Sequence, residues 1–279
     1  MKQVGVGLLD GVDLHGKWPR GGGGSAQSFA KYILEVPLLD HKIDETWRSR
    51  LAGLRNVTTT LGRPDFLLMN NEFGVGHSSS FRGNWSRYQM SMALIEFNLE
   101  LHVAGFDVAC MWDNGPGYPT PPTTPGGAIG WHCANCDDGV SDHMLLSGME
   151  EHTKEQLPID QYRFNPVAIG MELLSSAQNQ SMLKVATTGY RLHGFAGRDE
   201  GTSTMQLWLM NKYDGTPQKV KLTLPEGVAG LTTITTLLDD EADDVPLASR
   251  WGSTTTTPVT CMSGVCEFVL PPLSFSKLS

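Results

Sequence analysis

Two periodicities divide the chain. From residue 1 to about 175, short apolar runs alternate with longer stretches whose apolar residues recur at helical spacing; from about Gln178 onward, strand-like alternation is broken by turns. "QVGVGLLDGVDLHG" predicts a strand and its exit. "DETWRSRLAGLRNVTTTLG" places Trp47, Leu51, Leu54, Val57 and Leu61 on one face of a helix, which stops at Gly62 with Pro64 just beyond. "DFLLMN" is the next strand. "SRYQMSMALIEFNLELHVAG" is a second helix closed by Gly105, and "FDVACMW" a third strand, in which Cys110 is expected as a small buried hydrophobe. Strand, helix, strand, helix, strand is the pattern of a parallel α/β sheet.

After Trp112 the stretch "DNGPGYPTPPTTPGGAIGWHCANCDDG" reads as a long loop, and "NPVAIGMELLSSA" as a further helix. "GGGGS" at Gly21 to Ser25 reads either as a native loop or as an engineered linker. Beyond residue 178 come "MLKVATTGYRL", "TMQLWLMNKYDGTPQKVKLTLP", "LTTITTLLDD", "TTTTPVTC" and "CEFVLPPLSFSKL". The Asp-Gly in "NKYDGTPQ" predicts a tight hairpin. About 100 residues of such strands make an all-β module, most simply a sandwich.

Composition narrows the partners. A chain of 279 residues, 40% hydrophobic, suffices for one large domain or two ordinary ones. A net charge of −9 with 21 Lys+Arg and no long basic cluster argues against a nucleic acid or an anionic membrane. No run approaches the roughly 20 apolar residues of a membrane helix. The N-terminus reads as a strand, because Asp10, Asp13 and His15 interrupt it before any signal-peptide cleavage site. The cysteines nevertheless point to an extracellular or secretory setting. Cys261 and Cys266 in "CMSGVC" are spaced for a disulfide across a hairpin, and Cys133 and Cys136 form a second close pair. That second pair is a disulfide or two free thiols; with His132 and His143 it also suggests zinc, but no second ligand pair accompanies it. Sequons at Asn56, Asn84 and Asn179 are compatible with secretion.

Candidate chemistry gathers where strands run into helices. The first strand exits through Asp13, His15 and Trp18, the second through Asn70, Asn71 and Glu72, the third through Trp112, Asp113 and Asn114. Carboxylates, amides, a histidine and tryptophans on one rim suit a saccharide: aromatic faces stack on pyranose rings and the polar groups bond hydroxyls. The bland alternatives are a structural histidine at His15, core tryptophans at Trp18 and Trp112, and an ordinary loop carboxylate at Glu72.

"NNEFG", "CMWDN" and the closing "CEFVLPPLSFSKL" resemble the end of a clan A retaining glycoside hydrolase, nearest to the β-agarases and β-porphyranases. The resemblance implies the C-terminal part of a (β/α)8 barrel over 1–177, strands six to eight with their helices, then an antiparallel β-sandwich over 178–279. It makes Glu72 the nucleophile, Asn70 and Asn71 groups that orient it or bond substrate, Trp112 the floor of the subsite, and His15 a contact of Glu72 or of a sugar hydroxyl. It implies a polysaccharide or oligosaccharide substrate and no cofactor. Glu72 as the acid/base of strand four is a weaker fit, since about 40 residues to Trp112 leave no room for three further units. A retaining enzyme needs a second carboxyl about 5 Å from the nucleophile, and the resemblance puts it on a strand before the start of this chain. The expectation is a fragment, a subunit completed by a second chain, or a non-catalytic carbohydrate-binding protein.

Overall fold

The computed structural model describes residues 9–14, 16–17, 44–74, 87–111, 166–177, 180–189, 191–198, 205–213, 215–226, 231–239 and 252–279. Four strands, β1 (Gly11–Asp13), β2 (Gly16–Lys17), β3 (Leu67–Gly74) and β4 (Val108–Met111), form a parallel sheet. β3 lies at its centre, with β1 and β2 successively along one edge and β4 on the other. Helix α1 (Asp44–Thr60) leads into β3, and α2 (Arg87–Ala104) connects β3 to β4. Both helices end as their glycines foretell. Gly62 and Gly105 take positive φ of 77° and 104°, and Arg63 N–H and Phe106 N–H reach back to the carbonyls of Thr58 and Leu101.

Arg55 of α1 fixes the amino-terminal end of this sheet. Its guanidinium donates to Phe66 O and to the Asp107 carboxylate, each at 2.6 Å, and Asp107 accepts from Leu68 N–H at 2.7 Å. The starts of β3 and β4 are thereby locked in register. The face of α1 differs from the expected stripe: Leu51 and Thr58 are buried, whereas Val57 and Leu61 are 44% and 42% exposed. The turn at Gly62 is anchored through the Thr58 carbonyl, and this fixes the rotation of the last turn.

Helix α3 (Pro166–Leu174) and a 3-10 turn (Ser175–Ala177) lead to nine antiparallel strands. These are β5 (Ser181–Val185), β6 (Leu192–Arg198), β7 (Met205–Asn211), β8 (Gln218–Thr223), β9 (Thr233–Leu238), β10 (Ser253–Pro258), β11 (Cys261–Met262), β12 (Val265–Leu270) and β13 (Ser274–Leu278). Six form one sheet in the order β10-β9-β13-β7-β6-β5, and three form another, β11-β12-β8. In β7 the alternation serves two cores: Leu207 and Leu209 pack toward the smaller sheet, Trp208 and Met210 toward α2 and α3. A tight hairpin at "NKYDGTPQ" does not form, because β7 pairs with β6 and β13 while β8 pairs with β12. β7 has both edges taken, so the chain leaves its sheet here. Asn211 holds the exit, accepting from Tyr213 N–H at 3.0 Å and donating to Pro271 O at 2.6 Å. The "CEFVLPPLSFSKL" stretch likewise divides into β12 and β13, in different sheets, with Pro271 and Pro272 at the crossing.

The disulfide Cys261–Cys266 is present, at directly opposed positions of β11 and β12, with Ser263 and Gly264 in positive φ at the turn between them. Cys110 is exposed, contrary to expectation, since it lies on the face of the parallel sheet turned away from the helices.

Helix α2 is buried from Ser91 to Phe97 and from Leu99 to Leu101, between the parallel sheet and the six-stranded sheet. It approaches α3 so closely that a Cβ on Gly170 would lie 2.1 Å from Ile95 Cδ1. Its polar groups are joined across the boundary. The Tyr88 hydroxyl lies 3.0 Å from Leu237 O in β9 and 2.7 Å from Leu273 O just before β13. The Trp208 indole donates to Leu173 O at 3.0 Å. Glu96 meets Lys212 at 3.2 Å and hydrogen-bonds His193. All three of those ionisable groups are buried.

This boundary yields two stability predictions. Lys212→Met leaves the Glu96 carboxylate buried without its ammonium and should cost about 3–5 kcal/mol in a denaturant titration; Glu96→Leu with Lys212→Met should recover part of that loss. Gly170→Ala should also destabilise, because the added methyl requires Ile95 to move in a close-packed seam.

Candidate functional site

A parallel sheet presents its functional ends where the strands finish. β3 runs through Gly74, so Asn70, Asn71 and Glu72 lie within the strand rather than beyond it. The buried run Phe66, Leu68 and Asn70 faces the helices, whereas Leu67, on the other face, is 40% exposed. Of Asn71 and Glu72 the structure describes the backbone. Asn70 is fully buried, and its amide nitrogen and oxygen have no hydrogen-bond partner among the described residues, a costly state for a carboxamide. Asp13 ends β1, half-buried and in register with Met69. His15, Trp18, Trp112, Asp113, Asn114, Cys133 and Cys136 lie outside the described residues.

β3 is irregular where the candidate carboxylate sits. Toward β4 the paired positions are Asn70 with Ala109 and Phe73 with Met111. Toward β1 and β2 they are Asp13 with Met69 and Gly16 with Phe73. On both flanks β3 carries one residue more than its neighbour.

Two further features stand away from this strand end. A cavity of about 710 Å³ lies between α2, α3 and β5, lined by Asn98, His102, Phe106, Asp107, Met171 and Met182 among others. It borders the start of β4, at the opposite end of the sheet from Glu72. Burial lowers the His102 pKa below its ordinary value near 6.5, opposed by a hydrogen bond with the Phe106 backbone and by the Asp107 charge.

The second feature is the group Glu96, Glu100 and His193, whose donor atoms lie within 4.8 Å of one another and which is fully buried. These are ligand types for a divalent cation. Lys212 Nζ, however, stands 3.2 and 3.4 Å from the two oxygens of Glu96 and already supplies a cation there. The arrangement acts as an ionic joint between α2 and strands β6 and β7. Sequence reasoning missed it. Its local signal was two carboxylates four residues apart within the apolar run of a helix; their partners lie roughly a hundred residues away.

No family model and no curated relative matches the sequence. Solved structures do match in fold. The chain aligns with the family 51 α-L-arabinofuranosidase AbfB of Bifidobacterium longum at 15% identity and TM-score 0.54, over 97% of this chain and 52% of that one. With the α-L-arabinofuranosidase of Thermotoga maritima the values are 11%, 0.56, 96% and 52%. With the family 44 xyloglucanase of Paenibacillus polymyxa they are 13%, 0.55, 97% and 46%. The chain therefore has a fold shared with glycoside hydrolases and spans about half the length of these matches.

The His102 environment makes a prediction with a definite sign. The fold favours the neutral ring, so on acidification the unfolded chain takes up the proton first. Stability should be full above about pH 6.5 and fall as pH drops below it, and His102→Gln should flatten that fall in urea titrations run at pH 7.5 and 5.5.

Proposed function

We propose that this chain is the C-terminal part of a retaining glycoside hydrolase, with strands six to eight of a (β/α)8 barrel in 1–177 and a β-sandwich in 178–279, and that Glu72 is its nucleophile. The observation that carries the reading is Glu72 at the carboxyl-terminal end of β3, between two parallel neighbours, in a fold shared with glycoside hydrolases. There the carboxylate attacks the anomeric carbon, and the glycosyl–enzyme bond is then broken by water. The second carboxyl, which protonates the leaving oxygen and later activates that water, comes from the part of the fold that the longer matches possess and this chain does not span. A second chain carrying the other strands is one source of it. His15, Trp18, Asn71, Trp112, Asp113 and Asn114 form the substrate rim; Asn70, fully buried on the helix-facing side of β3, stands outside it.

The substrate class is a β-linked polysaccharide of the agarose or porphyran type, supported by "NNEFG", "CMWDN" and the closing stretch. The Cys261–Cys266 disulfide supports an oxidising, extracellular setting. Among the described residues no helix is long and apolar enough to cross a membrane. A second reading is a carbohydrate-binding protein that keeps the saccharide rim without turnover.

Hydrolysis of a panel of algal and plant β-linked polysaccharides, compared with Glu72→Gln, tests the proposal. Activity lost by about a thousandfold or more in the variant is expected if both carboxyls are present in the assembled protein. Saccharide binding without hydrolysis by either form supports the second reading. Activity unchanged in Glu72→Gln removes Glu72 from the chemistry.

A further inference from the structure

The two antiparallel sheets end in four outer strands, β10 and β5 in one, β11 and β8 in the other. An outer strand offers a row of backbone N–H and C=O groups to any further strand, and proteins blunt such edges with lysines, bulges, prolines or short length. β11 is two residues long, β5 carries Lys184, and β8 carries Lys219 and Lys221. β10, "STTTTP", has none of these devices except Pro258 at its very end. It pairs with β9 over six consecutive positions without a register shift, and among the described residues no strand lies on its outer side. No residue from 251 to 266 is charged. Residues 254–258 are all exposed, so both faces of the strand are open. The strand is nonetheless held at both ends. Gly252, at φ 72°, lies so near Leu238 O and the Tyr88 ring that a Cβ would stand 2.8 Å from each, and Val259 N–H donates to Thr232 O at 2.8 Å.

We infer that β10 is a self-association edge, through which two copies of this chain pair antiparallel about a two-fold axis and join their six-stranded sheets. A self-pair requires a strand that is its own complement. With the axis between Thr255 and Thr256, every pair from 254 to 257 sets threonine against threonine. The hydroxyls of Thr235 and Thr256, 3.0 Å apart, already form such a cross-strand pair within one copy. Charge selects the same partner and the same edge. The chain carries −9, so two copies repel one another wherever charged surfaces meet, and β10 offers a contact free of charge. A self-pair through β8 would gather Lys219 and Lys221 of each copy, and one through β5 both copies of Lys184, like charges that oppose cross-strand pairing. A two-fold contact uses the same edge on both copies and closes at two chains. One strand against one strand makes a small contact, in the weak class below about 1,200 Å². Anchoring at both ends of β10 limits the ordering that association costs. None of this depends on the catalytic reading.

Sedimentation equilibrium from about 5 to about 500 µM tests the claim by mass action. Cys110→Ser serves as the parent, because the exposed thiol could link copies by a disulfide of its own. The weight-average mass should rise with concentration from one chain toward two. Thr255→Lys, which sets a lysine of each copy against the other's strand beside the axis, should weaken association by about tenfold or more. Thr223→Lys, at an exposed position of β8, should leave it unchanged. The mass of a single chain at every concentration overturns the inference. Thr255→Lys associating as its parent does overturns it too, since the contact would then lie on another surface. Should Thr255→Lys fail to fold, residue-resolved amide exchange on the parent chain at the two ends of the concentration range reads the same strand without substituting it. Alternate amides among 254–257 should gain about tenfold or more in protection at the higher concentration, and identical exchange at both contradicts the pairing.

Discussion

The rest of the structure depends on the burial of α2 on all sides. A helix with one wet face can carry its charges outward; this one lies between a parallel sheet and a six-stranded antiparallel sheet, with α3 against its flank. Its apolar residues supply the driving force, and Glu96 and Glu100 are the cost. An isolated carboxylate there would be strongly unfavourable, so Lys212 and His193 must arrive from β6 and β7 in one register. That requirement fixes how the β module sits on the α/β portion more narrowly than apolar contact would.

The same burial shapes the strand that carries the candidate site. Because α2 covers one face of β3 and β4, the residues of β3 that alternate onto that face are buried. Phe66, Leu68 and Asn70 follow this by alternation, and Asn70 thereby carries a carboxamide into the covered face. The Arg55–Asp107 pair holds the amino-terminal end of the sheet in register, and the irregularity lies toward the carboxyl-terminal end of β3.

Much of the α/β portion was legible in the sequence. Gly62 and Gly105 mark the helix ends, the apolar runs mark β3 and β4, and "CMSGVC" marks its own disulfide. These are local signals. What failed is relational. β6, in "LHGFAGR", lacks the β-branched run of a strand and is held by β5 and β7 on its two edges. The Asp-Gly signal of a hairpin gave way to the pairing needs of β7, and Cys110 followed the face of the sheet rather than the preference of its residue type. The apolar run of β3 was legible, whereas its register shift against β4 is a relation between strands and leaves no mark on one of them. Fully buried Asn70, its amide unpartnered among the described residues, is the residue for which sequence and structure together supply no stabilising account.

The most direct measurement is covalent trapping with a panel of 2-deoxy-2-fluoroglycosyl fluorides. Fluoride departs without protonation, so the nucleophile is probed whether or not a general acid is present. The account predicts a single glycosyl adduct by intact mass, mapped to Glu72 and absent from Glu72→Gln. An adduct on another residue, or none on any member of the panel while the saccharide still binds, would contradict it.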